Sequence, residues 1–143
     1  MKEIPVLVSI QSCARRDDES EEPISMLTAG TLALDDETAA VTYQELLDES
    51  IPPQTVVVTA KDDSVIMQRD GDYATQMVFH RGQRYEGVYQ TPYGSMDMAI
   101  FCTRLHYDLD DNGGTIDLIY QMDLNGQFAG MHQMHMQLVV KNG

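Results

Sequence analysis

The sequence predicts an all-β domain, a closed antiparallel up-and-down barrel of about 8–10 strands. Three observations lead there. Short runs rich in Val, Ile, Thr, Tyr, Met and Phe recur with polar interruptions, and turn residues separate them every 8–12 residues or so. No heptad, internal repeat or amphipathic helix of useful length competes with that pattern. With so many hairpin-linked strands, exposed edges are a liability that closure of the sheet removes, so a barrel is favoured over a sandwich.

Ten strands are expected, near 5–11, 24–34, 38–46, 54–60, 64–69, 73–80, 83–91, 94–108, 114–124 and 127–140. The first is followed by residues 12–23, polar and charged enough to read as a long exposed acidic loop. Residues 47–53 (Leu-Asp-Glu-Ser-Ile-Pro-Pro) read as a second irregular connection. Asp70-Gly71, Arg81-Gly82, Asn112-Gly113-Gly114 and Asn125-Gly126 supply the positive φ that tight hairpins demand. Consecutive strands are therefore antiparallel neighbours.

Register is testable where a turn is well defined, because a one-residue slip turns the apolar face outward. In 114–124 the apolar set is Ile116, Leu118, Tyr120, Met122 and Leu124; in 127–140 it is Phe128, Met134, Met136, Leu138 and Val140. A two-residue Asn-Gly turn would put the sets on opposite faces, so a three-residue loop Leu124-Asn125-Gly126 is expected. In the same way, a loop Arg69-Asp70-Gly71 sets Val65 and Met67 on the face of Tyr73, Thr75, Met77 and Phe79.

The chain has 143 residues, 43% of them hydrophobic, enough for one domain to bury a core without disulfides or metal. Net charge is −14, and 14 of the 23 acids but 4 of the 9 bases fall in residues 1–63. Nine scattered bases among so many acids argue against a nucleic-acid or anionic-membrane partner; solubility is the plain reading of the acidity. Cys13 and Cys102 form no framework and no metal spacing. The start, Met1-Lys2-Glu3-Ile4-Pro5, lacks the apolar segment of a secretory signal. A cytoplasmic protein is expected.

Met131-His132-Gln133-Met134-His135-Met136 offers soft-metal ligand types. Period-two geometry puts His132 and His135 on opposite faces of a strand, so no metal or other cofactor is expected. Catalytic motifs such as Gly-x-Ser-x-Gly or His-Glu-x-x-His do not occur. Tyr43 and Glu45 share a strand face with Val41. If it points inward, a carboxylate enters the barrel and needs a partner, for which Arg69 near a barrel mouth is suited.

Several pieces, in this order, resemble the YwiB-like family of small bacterial proteins: Tyr43-Gln44-Glu45; Arg69-Asp70-Gly71; Met77-Val78-Phe79 with Gly82; Tyr89-Gln90-Thr91-Pro92-Tyr93-Gly94; and Tyr120 with Leu124 and Gly126. The resemblance spans residues 5 to 140 and is sharpest in Tyr-x-Thr-Pro-Tyr-Gly. It implies a calycin-like barrel, similar in architecture to the lipocalins and fatty-acid-binding proteins, and brings no catalytic residues.

The expectation is a binding module that holds a small, partly apolar ligand inside the barrel. Tyr43, Glu45, Arg69, Phe79, Tyr89, Tyr120 and His132 are the candidate interior or mouth residues. Two rivals stand beside it: an interaction or structural module, and an enzyme using Glu45 with Tyr43 or a histidine as acid and base.

Overall fold

A computed structural model describes residues 2–16, 19–20, 23–45, 50 and 52–141. Every element in it is a strand: β1 (Lys2–Arg16), β2 (Glu19–Ser20), β3 (Ile24–Leu34), β4 (Thr38–Glu45), β5 (Gln54–Lys61), β6 (Ser64–Asp70), β7 (Thr75–His80), β8 (Arg84–Thr91), β9 (Gly94–Asp110), β10 (Gly113–Leu124) and β11 (Gln127–Val140). The ladder runs β7-β6-β5-β4-β3-β1-β11-β10-β9-β8, with β2 folded back on β1. All its pairings are antiparallel. The ten main strands thus form the expected up-and-down barrel.

Closure is nearly complete. The first and last long strands, β1 and β11, pair directly (Val6↔Val140 to Arg15↔Met131). The seam falls instead between β7 and β8, which no ladder joins. Tyr85 Oη donates across it to the Gln76 carbonyl at 3.1 Å, and the Gln90 amide donates to Thr75 Oγ1 at 3.4 Å. Residues 81–83 pin the packed end of the seam, where the Gly82 amide donates to the Cys102 carbonyl at 2.8 Å.

Two expectations about connections are corrected. The first strand does not end at 11: residues 12–16 continue β1, because Ser12 to Arg15 pair with Met134 to Met131 of β11 and Ser12 also pairs with Ile24. Edge-to-edge pairing on both sides outweighs the polarity of that stretch. Residues 17, 18, 21 and 22 of the expected loop lie outside the described residues, as do 46–49 and 51 of the strand end and second connection.

The second correction concerns register. Leu124 pairs with Gln127, so Asn125 and Gly126 form a two-residue turn, both at positive φ (51° and 78°). That turn should have mismatched the two apolar sets. A β-bulge repairs the mismatch: Asp123 pairs with Phe128 but Met122 with Gly130, which leaves Ala129 as the extra residue. Beyond it Leu118 faces Met134 and Ile116 faces Met136, as the alternation requires. Phe128 lies on the turn side of the bulge and is 39% exposed, not in the core set. Between β6 and β7, Arg69 pairs with Thr75 and Met67 with Met77, so the connection is residues 71–74 and longer than expected. The odd residues still share a face.

Up-and-down topology sorts the interior into two halves. At the end carrying residues 35–37, 62–63 and 111–112, the interior is solid: Val6, Val8, Leu32, Val41, Val58, Val65, Phe79, Ile100, Ile116, Leu118 and Met136 are all buried. This half supplies the hydrophobic stabilisation. The other end is built from the late residues of β1, β4, β6, β8 and β10 and the early residues of β3, β5, β7, β9 and β11.

Candidate functional site

That second end is hollow. A cavity of about 360 Å³ opens there, and its walls come from eight strands. Met26, Met67, Met77, Met122 and Met134 line it, five of the chain's ten methionines, together with Ile10 and Ile24. Unbranched thioethers fill irregular apolar space and adapt to varied shapes. Tyr43, Tyr89, Tyr120 and His132 add aromatic wall, and Ser12, Glu45 and Arg69 the remaining polar groups. Ile24, 69% exposed, stands at the rim.

The floor is aromatic. Phe79, 1% exposed, meets Tyr120 with ring centroids 4.8 Å apart and tilted by 59°. Tyr120 in turn stacks on His132, centroids 5.2 Å apart and 9° from parallel. The stack follows from strand register, since Tyr120 and His132 are directly opposite on β10 and β11. Burial pushes the Tyr120 hydroxyl up to about 12, an effect Arg69 opposes and Tyr89 and Cys102 reinforce.

The polar corner is an ion pair. Arg69 Nε donates to Glu45 Oε1 at 2.9 Å and Nη2 to Oε2 at 3.3 Å, a bidentate geometry in which the side chains keep 21% and 15% exposure. Arg69 Nη1 approaches Met77 Sδ at 3.8 Å. Burial works against the guanidinium charge, but the Glu45 carboxylate, with smaller contributions from Tyr89 and Tyr43, more than offsets it and the pKa of Arg69 is raised. Tyr43, 3% exposed, lies beside the pair. Burial pushes its hydroxyl above the ordinary tyrosine range; the Glu45 charge adds to this and Arg69 opposes it.

A second hollow, about 410 Å³, lies among Arg84, Glu86, Asp97 and Asp123 on β8, β9 and β10. Its charged lining is less suited to an apolar ligand than the methionine-lined interior.

A family profile described as a domain of unknown function (DUF1934) matches residues 8–136. The chain belongs to the DUF1934 family. The DUF1934 chain is 21% identical over 133 residues to the uncharacterised β-barrel protein YwiB of Bacillus subtilis (strain 168), covering 93% of this chain and 92% of YwiB. The crystal structure of the Bacillus subtilis protein superposes with a TM-score of 0.86 at 20% identity, over 98% of this chain and 94% of that one. The resemblance to the YwiB-like family read from the sequence is borne out, and the structural likeness shows the barrel.

Of the interior residues named from the sequence of this DUF1934 barrel, Tyr43, Glu45, Arg69, Tyr89, Tyr120 and His132 converge on one cavity. Phe79 lies beneath it, in contact with Tyr120. His135, three residues from His132, faces the other way and bonds Asp117 Oδ1 through Nδ1 at 2.6 Å. Ser12 was missed because 12–23 read as loop, and its pairing with β11 and β3 was not visible in composition; Ile24 fell in the expected strand 24–34 but was not singled out as lining. Gln54 was missed too. Among the described residues it is a rare buried polar side chain, 1% exposed, and a lone Gln at a strand start carries no sequence signal.

Proposed function

We propose that this protein is a binding module that holds a small, partly apolar ligand in the open end of the barrel. The carrying observation is the cavity itself: about 360 Å³ enclosed by five methionines and three tyrosines with one ion pair at its edge. That volume is at the lower end of the about 300–1,000 Å³ common for ligand pockets, and the mix of apolar wall and few polar groups matches them too. Bidentate pairing holds Arg69 and Glu45 in fixed positions, so they orient a ligand without being reorganised by it. A hollow-ended antiparallel barrel is also the architecture in which calycins hold ligands, which supports the reading by analogy alone.

The enzymatic alternative finds less support. Both Glu45 oxygens accept from Arg69, which leaves neither as an unengaged base. Two unbridged cysteines, Cys13 and Cys102, fit a reducing cytoplasmic setting. No helix among the described residues is long and apolar enough to cross a membrane.

Native mass spectrometry of gently purified protein, compared with the denatured mass, tests the proposal. A discrete extra mass lost on denaturation is expected, and Met67→Ala/Met77→Ala should weaken its retention. A bare chain that also takes up nothing from a lipid and metabolite mixture overturns the reading.

A further inference from the structure

Behind Arg69 lies a feature that a purely apolar cavity does not account for. Gln54 opens β5 directly opposite Glu45 in the ladder and is 1% exposed. Its Oε1 accepts from the Tyr73 amide at 2.9 Å. Because a backbone N–H must meet the oxygen, the orientation of the side-chain amide is fixed, and Nε2 points elsewhere. Nε2 is buried and has no hydrogen-bond partner among the described residues, a costly state for a donor. Loop 71–74 presses on this side chain: Gly71 sits at φ +144°, and a Cβ there would come within 2.8 Å of Gln54 Cγ. The Arg69-Asp70-Gly71 segment thus closes over Gln54.

Gln54 borders a small hollow of about 50 Å³, shared with Arg69, Tyr73, Thr75, Tyr89 and Gln90. Arg69 and Tyr89 also line the large cavity, so the two spaces have a common wall. A water occupies about 30 Å³ of liquid, so the hollow accommodates one compact polar group.

We propose that this hollow is a head-group subsite that takes a neutral hydrogen-bond acceptor, a carbonyl or carboxamide, of a ligand whose apolar body occupies the methionine-lined cavity. The inference rests on the binding reading above and narrows it. Charge decides the class. Glu45 already neutralises Arg69 through both oxygens, so the corner offers no uncompensated positive charge to a carboxylate, and a chain of net charge −14 repels one at longer range. An ammonium would set donors against the Gln54 amide and the guanidinium. A hydrocarbon terminus would leave Gln54 Nε2 unsatisfied. A neutral acceptor meets the donor without adding charge.

The test uses the full chain with methionine methyls labelled for NMR, titrated with four probes that share one body: 2-naphthamide, 2-naphthoate, 2-naphthylmethylammonium and 2-methylnaphthalene. All binders should shift the Met67 and Met77 methyl signals, and 2-naphthamide should bind about 10-fold tighter than any other, the equivalent of one satisfied donor. Gln54→Leu should erase that preference, 2-naphthamide then binding no tighter than 2-methylnaphthalene. Should this variant lose its native methyl spectrum, the wild-type rank order still decides. Equal affinity of 2-naphthamide and 2-methylnaphthalene overturns the subsite but leaves the cavity reading standing. Tightest binding by 2-naphthoate overturns the neutral head group. Failure of all four to shift those methyls counts against the cavity reading and the subsite together.

Discussion

Arg69 ties the fold to the site. Its alkyl stem and guanidinium close the polar corner of the cavity, and its charge is compensated by a single carboxylate, Glu45. Removing one partner strands the other in a half-buried place. Glu45→Met should therefore cost about 2–3 kcal/mol, less than the roughly 3–5 of a fully buried pair because both groups keep some solvent. The double variant Glu45→Met/Arg69→Met should return to within about 1 kcal/mol of wild type, since a packed apolar pair replaces the ionic one. Urea unfolding of wild type, Glu45→Met, Arg69→Met and the double variant reads the cycle; a single variant as stable as wild type would show the pair to be solvated. Tyr120 gives a second residue-scale expectation. Below pH 10, the ordinary tyrosine value, folded and unfolded chains both keep the phenol protonated. Above it the unfolded chain releases the proton, while folded Tyr120 holds it up to about pH 12. Stability therefore falls as pH rises through 10–12, by about 2–3 kcal/mol from this residue. Stability measured against pH should fall less steeply in Tyr120→Phe over that window.

At the scale of elements, the β10–β11 hairpin shows how local rules combine. Asn125-Gly126 dictates a two-residue turn, the alternation on each strand dictates even facing even, and the two are incompatible without an extra residue. Ala129 is that residue. Deleting it would make Asp123–Phe128 and Met122–Gly130 consecutive pairs of a regular ladder and leave Met134, Met136 and Leu138 on the core side. The deletion is therefore expected to keep cooperative thermal unfolding, followed by circular dichroism, because the pairs on both sides of the bulge survive. Ala129→Gly, which keeps the count, should cost only about 0.5–1 kcal/mol. A deletion variant that no longer melts cooperatively would show that the hairpin needs the extra twist of the bulge. The seam is a second element-scale feature: Tyr85→Phe removes the hydroxyl that bridges β8 to β7 and should lower stability by about 1 kcal/mol, with faster amide exchange in both strands.

The whole molecule carries −14 on 143 residues, and self-repulsion of that size opposes compaction. Raising NaCl from low to physiological concentration should stabilise the barrel by about 1 kcal/mol, or about 3 °C at this length. Thermal melts across a salt series check this, and a falling curve would mean that surface ion pairs such as Lys2–Asp111 and Arg84–Glu86 dominate instead. Much of the architecture was legible in the amino-acid order, because period-two alternation and Gly-containing turns are local signals that act on neighbouring residues. They determined the all-strand class, the ten strands with most of their bounds, the antiparallel neighbours, and the shared strand face of Tyr43 and Glu45; that this face points inward was settled by closure of the barrel. Tertiary structure decided what depends on partners distant in sequence. Pairing of β1 with β11 and β3 turned a charged stretch into strand, a bulge reconciled turn and register, and the closing seam fell between β7 and β8. The separation of a solid half from a hollow one was likewise invisible in order alone, since Met67 and Val65 alternate alike along β6 and only their height in the closed barrel places one at the cavity and the other in the packed core.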